Sequence, residues 1–388
     1  MKNKGLIKYI SFFDFQDSKV RRNYVTSATN KIESICQILS EIGYEVQIIS
    51  PSSVIEPKFK FYKGRKVKER DGLQLKTFFS WGGKNPLLRK AKAVWHVILL
   101  FLYLLFNTKK DETILVYHSL GYFKSILWAK KIKKFKMILE VEEIYQDVGK
   151  IKRNSMAKVE YPMIEAADAY IFPTELLNSK LNIHNKPYAI IYGTYTVEPQ
   201  ITEKFNDGKI HVVYAGTFDP RKGGAAAAAA AAELPDRYHF HICGFGSEEE
   251  TRILQEQIEA INKGQNPKIS LEGLLKGNDY IKLLQKCQIG LSTQDPSAKF
   301  NNTSFPSKIL SYMCNGLSVV SIDIPAIRNS LIGNFLTYYR IQEPREIANA
   351  ICNSEIENNN REEILKLRRL FISQITHLLE STSPSVSL

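Results

Sequence analysis

Cysteine is scarce and scattered in this chain of 388 residues, at Cys36, Cys243, Cys287, Cys314 and Cys352. An odd number without CxxC spacing excludes a disulfide framework and fits thiols kept reduced in a cytosol. Long apolar runs are lacking too. The most apolar stretch, Ala93–Phe106 (AVWHVILLFLYLLF), is fourteen residues long, and crossing a bilayer takes roughly twenty. The start, MKNKGLIKYISFFDF, has no small-residue cleavage site and reads as a first strand, not a signal peptide. There is no DxD-like pair and no His/Cys cluster that suggests a metal, so no metal ligand is assigned.

What the chain does have is an apolar fraction of 44% and a mean hydropathy of −0.22, the balance of a folded soluble protein long enough for two domains. The net charge is +13 and is unevenly spread. Residues 1–200 hold 33 Lys+Arg against 19 Asp+Glu, and residues 201–388 hold 20 against 21. The positive excess therefore belongs to the N-terminal half, which should face an anionic partner, either a nucleic acid or an anionic bilayer.

That half begins as a βαβ unit. Residues 6–15 form a strand, Asn30–Ile42 carries Ile32, Ile35, Ile38, Leu39 and Ile42 at helical spacing, and Tyr44–Ser50 is the next strand. The loop Gln16–Thr29 holds Arg21, Arg22 and Asn23 at the carboxyl end of a strand, where ligands bind in open α/β sheets. A solvated surface loop explains it equally well. Lys58–Arg70 alternates cations with aromatics and reads as a surface hairpin turning at Lys63-Gly64, ahead of a nucleic-acid-binding stretch. Ala93–Phe106, flanked by Arg89, Lys90, Lys92, Lys109 and Lys110, reads as a buried helix, narrowly ahead of one lying at a membrane interface. Thr113–Tyr117 delivers His118 to a strand end, and Met137–Val141 delivers Glu142 and Glu143. Tyr188–Tyr192 closes a first domain over 1–200, and Thr194–Gly208 is the expected linker.

The second half is organised around Val212–Gly224, VVYAGTFDPRKGG. An apolar strand meets Gly216 and Thr217, an Asp-Pro turn, Arg221 and Lys222, two glycines, and then eight alanines with high helix propensity. Backbone N–H groups, a helix N-terminus and two cations round one cavity suit a phosphate or diphosphate. Gly244-Phe245-Gly246 ends the following strand, and Ser247 with Glu250 forms a capping-box pattern. Glu249 stands where GxGxxG needs its third glycine, which disfavours NAD. The stretch Thr303–Ser321 (TSFPSKILSYMCNGLSVVS) repeats the arrangement. Pro306 suits a first helical turn, Ser304, Ser307 and Lys308 sit at the helix start, and Asn315-Gly316 stops it. Two such N-termini at strand ends of one parallel sheet can share one diphosphate.

At VYAGTFDPRKGG, the GFG turn and FPSKILSYMCNGLSVVS, roughly 210–325, the chain resembles the retaining nucleotide-sugar glycosyltransferases of GT-B fold, family four. HSLGYF, EVEEIY and EAADAYIFPT match more loosely over 1–195. The resemblance implies an α/β fold of two Rossmann-like domains facing across a cleft: 1–200 for the acceptor and 201–360 for the donor. A C-terminal helix over 361–388 crosses back to complete the first. It implies that Lys222 binds the diphosphate, with Arg221 compensating for Thr217, which stands where many members have a second basic residue. Gly216, Gly244, Gly246 and Leu274 would lie along the donor. Thr303 and Ser311 occupy the places of the two glutamates of the family's E-x7-E motif, leaving the N–H groups near Ser304 and Phe305, with Ser307 and Lys308, to serve the phosphate. Glu142, with Glu143 beside it, falls where many members carry a catalytic histidine, and His118 is an alternative polar contact. Arg21, Arg22 and Asn23 would face the acceptor. No cofactor is implied beyond the substrate, a UDP-sugar or GDP-sugar, and paired cations replace a metal at the leaving group. The expected setting is bacterial surface polysaccharide (capsule) assembly on a lipid-linked glycan, at the cytoplasmic face of an anionic inner membrane, with no nucleic acid as partner. The competing readings are a nucleic-acid-binding protein and a GT-B scaffold that binds without transferring.

Overall fold

The computed structural model describes residues 4–15, 18–68, 73–145, 153–201, 203–219, 223–263, 268–297, 301 and 303–382. Its contacts divide the chain into two units, one of residues 1–173, 177–191 and 371–388, the other of 174–176 and 192–370. The boundary falls at 191/192, ahead of the expected linker, because residues after Tyr192 pack into the second unit. The Tyr195 hydroxyl accepts from the Tyr192 N–H, and the Tyr192 hydroxyl reaches Glu175.

The first unit contains β1 (Gly5–Ile10), β2 (Tyr44–Ser50), β3 (Phe61–Tyr62), β4 (Lys66–Lys68), β5 (Leu73–Thr77), β6 (Ser80–Trp81), β7 (Thr113–Tyr117), β8 (Lys136–Glu140), β9 (Ala169–Phe172) and β10 (Tyr188–Ile190). Eight of these form one sheet in the order β10-β9-β8-β7-β1-β2-β5-β4, parallel except for β4. The sheet order reverses between β1 and β7. Helices α1 (Thr26–Glu41), α2 (Pro86–Asn107), α3 (Phe123–Lys133) and α4 (Arg153–Glu165) belong to this unit. Of the apolar positions read for α1, Ile32, Ile35, Ile38 and Leu39 are buried, as helical periodicity requires, and Ile42 is half-buried just past the helix end.

Two expectations fail in this unit. Among the described residues of the Lys58–Arg70 stretch there is no hairpin: β3 pairs with β6 in a separate ribbon, and β4 pairs with β5. Gly64 allows the close crossing, since a Cβ there would lie 2.6 Å from the Thr77 carbonyl oxygen. The apolar run is not a fully buried helix either. α2 starts at an Asn85 cap whose side chain accepts from the Leu87 N–H, 2.8 Å. It buries Lys92, His96, Leu100 and Leu104, while Val94, Ile98 and Phe106 are 60%, 43% and 80% exposed. Among the described residues no helix is long and apolar enough to cross a membrane.

The second unit holds β11 (Ile210–Thr217), β12 (Tyr238–Phe245), β13 (Ile269–Gly273), β14 (Ile289–Ser292), β15 (Ser318–Ile322) and β16 (Thr337–Tyr339), all parallel in the order β13-β12-β11-β14-β15-β16. Numbered within the unit this is 3-2-1-4-5-6, the Rossmann order. The alanine run forms α5 (Gly224–Glu233), with Ala227, Ala228, Ala230 and Ala231 buried. Small side chains let it lie close on β11 and β12, and a larger residue there would cost about 1–3 kcal/mol of overpacking. α6 (Glu248–Ile261) starts at the expected capping box of Ser247 and Glu250. α7 (Gly277–Lys286), α8 (Lys308–Cys314) and α9 (Pro344–Cys352) follow. The final helix, α10 (Asn360–Thr382), begins in the second unit, where the Asn360 amide donates to the Leu317 carbonyl. It ends in the first, where the Thr382 carbonyl accepts from Thr113 Oγ1.

Candidate active site

In a sheet of order 3-2-1-4-5-6 the reversal falls between strands 1 and 4, and the loops leaving their carboxyl ends part to opposite faces. Here those strands are β11 and β14. Thr293, directly after β14, donates its hydroxyl to the Gly223 carbonyl at the entry of α5, 2.8 Å, and so ties the two loops together. Gly223 is left-handed (φ +85°), and a Cβ on it would lie 2.4 Å from Thr293 Oγ1, so only glycine fits. Gly216 and Gly244 face each other across the β11–β12 ladder. The Phe218 N–H continues the pairing to the Phe245 carbonyl, 2.8 Å, and Gly246 leaves room for Phe218.

Lys308 brings charge to this place. Its ammonium lies 4.1 Å over the Tyr214 ring and 3.1 Å from where a Gly216 Cβ would be. The sequence-predicted residues Gly216, Thr217, Gly244, Gly246 and Lys308 thus meet at one end of the sheet. Arg221 and Lys222 lie outside the described residues. Tyr214 donates to the Thr217 carbonyl, 2.8 Å, and holds the end of β11 in place. Tyr312, unremarked in the sequence, links three elements: its hydroxyl accepts from the Ala215 N–H, 2.8 Å, and donates to the Leu291 carbonyl, 3.3 Å.

The other donor candidates are placed less uniformly. α8 starts at Lys308, two residues past Pro306, which therefore precedes the helix instead of opening it, and Ser307 gives no side-chain cap. The Thr303 carbonyl accepts from Thr174 Oγ1, 2.6 Å. Phe305 is buried against Tyr192, ring centroids 4.9 Å apart, and Ser304 precedes it. The Ser311 hydroxyl lies 3.1 Å from that of Tyr280, so its hydrogen-bonding capacity is partly taken. Leu274 is exposed just beyond β13.

In the first unit a second cluster forms at the ends of β7 and β8. Lys31 of α1, buried, makes a short ion pair with Glu142, donates to the Ile191 carbonyl at 3.0 Å, and lies 3.9 Å from Glu140. Tyr9 of β1 donates to Glu140. Burial, then the Glu142 charge, pushes the Glu140 carboxyl from an ordinary 4.5 up to about 8, against the pull of Lys31. The folded state thus keeps a proton that the unfolded chain releases near 4.5, so stability falls as pH rises from about 4.5 towards 8. Glu140→Gln is expected to flatten that slope and cost little at neutral pH, which urea denaturation at pH 5, 6, 7 and 8 checks.

His118 is 1% exposed, stacked on Tyr145 with centroids 4.9 Å apart, and its Nε2 lies 3.7 Å from the buried Glu160 carboxylate. Burial lowers it to about 4, so near neutral pH it is uncharged. Glu143 follows Glu142 at the open end of the strand.

The acceptor candidates divide. Arg21 pairs at the surface with Glu56, 3.7 Å. Arg22 is buried, donating to the Ser52 carbonyl at 2.7 Å and facing Asp14 at 3.8 Å, and so serves the fold. Asn23 lines a cavity of about 420 Å³. Sequence reasoning missed Lys31, Glu140, Tyr9 and Tyr312, because a buried polar pair separated by about a hundred residues leaves no local pattern.

Residues 209–354 match the family described as Glycosyl transferases group 1. That segment is a glycosyltransferase domain. It lies within the second unit and gives the chain its enzyme class. No curated protein matches the sequence. Among solved structures, the chain is similar to the alpha,alpha-trehalose-phosphate synthase (UDP-forming) from Burkholderia vietnamiensis, at 12% identity and TM-score 0.66 over 100% of this chain and 99% of that one. It is similar to the corresponding Burkholderia xenovorans enzyme in complex with glucose-6-phosphate, at 10% identity and TM-score 0.67, covering 97% and 99%. A third is Anabaena HepE in complex with UDP, at 13% identity and TM-score 0.64, covering 97% and 99%. At such identity the likeness establishes the fold, which is GT-B, two Rossmann-like units.

Proposed function

We propose that the chain transfers a sugar from a nucleoside diphosphate sugar, UDP-linked in the first instance and GDP-linked in the second, to a saccharide acceptor with retention of anomeric configuration. The observation that carries this is the meeting of the β11 and β14 loops at the switch point, with the Lys308 ammonium beside Gly216. In the reaction the bond from sugar C1 to the β-phosphate oxygen breaks and its electron pair stays on that oxygen. The acceptor hydroxyl adds to C1 on the same face, and its proton passes to the departing phosphate. Lys308, Arg221, Lys222 and the N–H groups opening α5 would stabilise the charge that develops, without a metal. Glu142, paired with Lys31, is the side chain assigned to the catalytic position of the first unit.

UDP in complex with Anabaena HepE, and the name UDP-forming of the Burkholderia enzymes, favour uridine. A thermal-shift panel of UDP, GDP and ADP tests it. Ligand at a hundred times Kd adds about 2.7 kcal/mol, so UDP is expected to raise Tm by about 5 °C or more and ADP by far less. Equal shifts for all three, or none, would remove the reading.

The finer setting also belongs to the proposal: a bacterial surface-polysaccharide enzyme working on a lipid-linked glycan at the cytoplasmic face of the membrane. Support comes from α2, which exposes Val94, Ile98, Leu102 and Phe106, and from α3, whose Trp128 meets Phe101 of α2 and which exposes Ile132 beside Lys131 and Lys133. Flotation with liposomes containing anionic lipid is expected, and Ile98→Glu with Phe106→Glu should abolish it. Failure to float with any lipid would leave the enzyme without this location.

A further inference from the structure

The cavity of about 420 Å³ that Asn23 lines lies wholly within the first unit. Its walls come from the segments after β1, β2, β7 and β8, with α2 along one side, so it occupies the point where this sheet, too, reverses its order. We propose that it is a subsite for an uncharged sugar ring, the end of the acceptor glycan, with His96 as its buried hydrogen-bonding group. The assignment rests on the glycosyl-transfer reading and narrows its acceptor.

Three features select this occupant. The first is His96, which is 3% exposed on α2 and lines the cavity. Among the described residues neither of its ring nitrogens has a hydrogen-bond partner of ordinary geometry, although the Pro51 carbonyl lies beside the ring. Burial, then the Arg22 charge, lowers its titration to about 4. The neutral ring offers one N–H and one lone pair, and a sugar hydroxyl both donates and accepts. A hydrocarbon chain would leave both nitrogens unsatisfied.

The second feature is the lack of a cation on the wall: among the described residues that line it there is no lysine or arginine. The cations behind His96 are committed elsewhere, Arg22 to the Ser52 carbonyl and Lys92 to the Val54 and Trp81 carbonyls. A phosphate entering here would shed its water and find no counter-charge. The third is the pairing of flat aromatic surface with a few polar groups. Phe12, Tyr122 and Tyr145 can lie against the C–H faces of a pyranose, and Asn23, Ser53 and Ser119 can reach its hydroxyls.

Saturation-transfer NMR on the full chain tests this with methyl α-D-glucopyranoside, methyl α-D-galactopyranoside and N-acetylglucosamine as probes, against glucose 6-phosphate and 1-octanol. At least one neutral sugar is expected to bind. His96→Leu should weaken that binding at least tenfold, His96→Gln should keep part of it, and Ala93→Trp, which fills the cavity, should abolish it. The UDP-induced melting shift should survive in all three variants, which shows that they fold and separates this test from that of the donor site. UDP failing to bind the unaltered protein would count against the transfer reading itself. Preference for glucose 6-phosphate or octanol, silence from all three sugars, or sugar binding that survives both His96→Leu and Ala93→Trp would overturn the proposal.

Discussion

Lys308→Met is expected to lower kcat/KM about a hundredfold and to weaken UDP binding, while changing unfolding stability by only about 1 kcal/mol. The two figures have different origins. In the folded protein the ammonium nitrogen is buried and lies 4.1 Å over the Tyr214 ring, an interaction worth about 2 kcal/mol where the cation is desolvated and offset in part by the cost of burying the charge. The methionine stem keeps the packing. In the transition state the same ammonium would meet charge gathering on the departing diphosphate, where removing one preorganised donor costs about 2.7–4 kcal/mol. Steady-state kinetics alongside urea denaturation separates the two. A variant that turns over normally would show that Lys308 braces Tyr214 and nothing more.

Gly244→Ala should destabilise the second unit by about 3 kcal/mol or more and take nucleotide binding with it. A Cβ at this position would lie 1.7 Å from the Gly216 carbonyl oxygen and 2.9 Å from its carbon. Both are backbone atoms in a ladder closed by β12, β11 and β14, so no side-chain rotation can relieve the overlap, and a close-packed interior transmits the strain. Gly273→Ala provides the control. Its φ is +66° and nothing lies within 4 Å of the added Cβ, so only the left-handed backbone cost of about 1–2 kcal/mol applies. Denaturant midpoints for the two variants should differ clearly. Equal losses would mean that the contact between the two strand ends is not what requires glycine.

Much of the architecture was legible because its signals are local. The period of Ile32, Ile35, Ile38 and Leu39 marks a helix face, and Ser247 with Glu250 marks a helix start. The glycine-rich turns after β11 and β12 mark places where backbone must come close. The same logic misjudged α2. Fourteen apolar residues suggested burial, but a helix against one sheet can bury only one stripe, and His96 and Lys92 lie on that stripe while Val94 and Phe106 do not. The basic stretch at 58–70 misled for a related reason. Its alternation fits a strand in any sheet, and nothing in it says that β3 pairs with β6 while β4 pairs with β5.

The sequence by itself determined the class of fold, the two-unit plan, the uneven charge and the glycine positions, because turn chemistry and hydrophobic period act within a few residues. Only the tertiary structure decided which polar groups meet. Lys31 pairs with Glu142 across 111 positions, Thr293 reaches Gly223 across 70, and His96 turns from an apolar helix into a cavity built on four other segments. Those meetings follow from the order in which parallel strands assemble, and a parallel sheet joins residues that no local pattern relates.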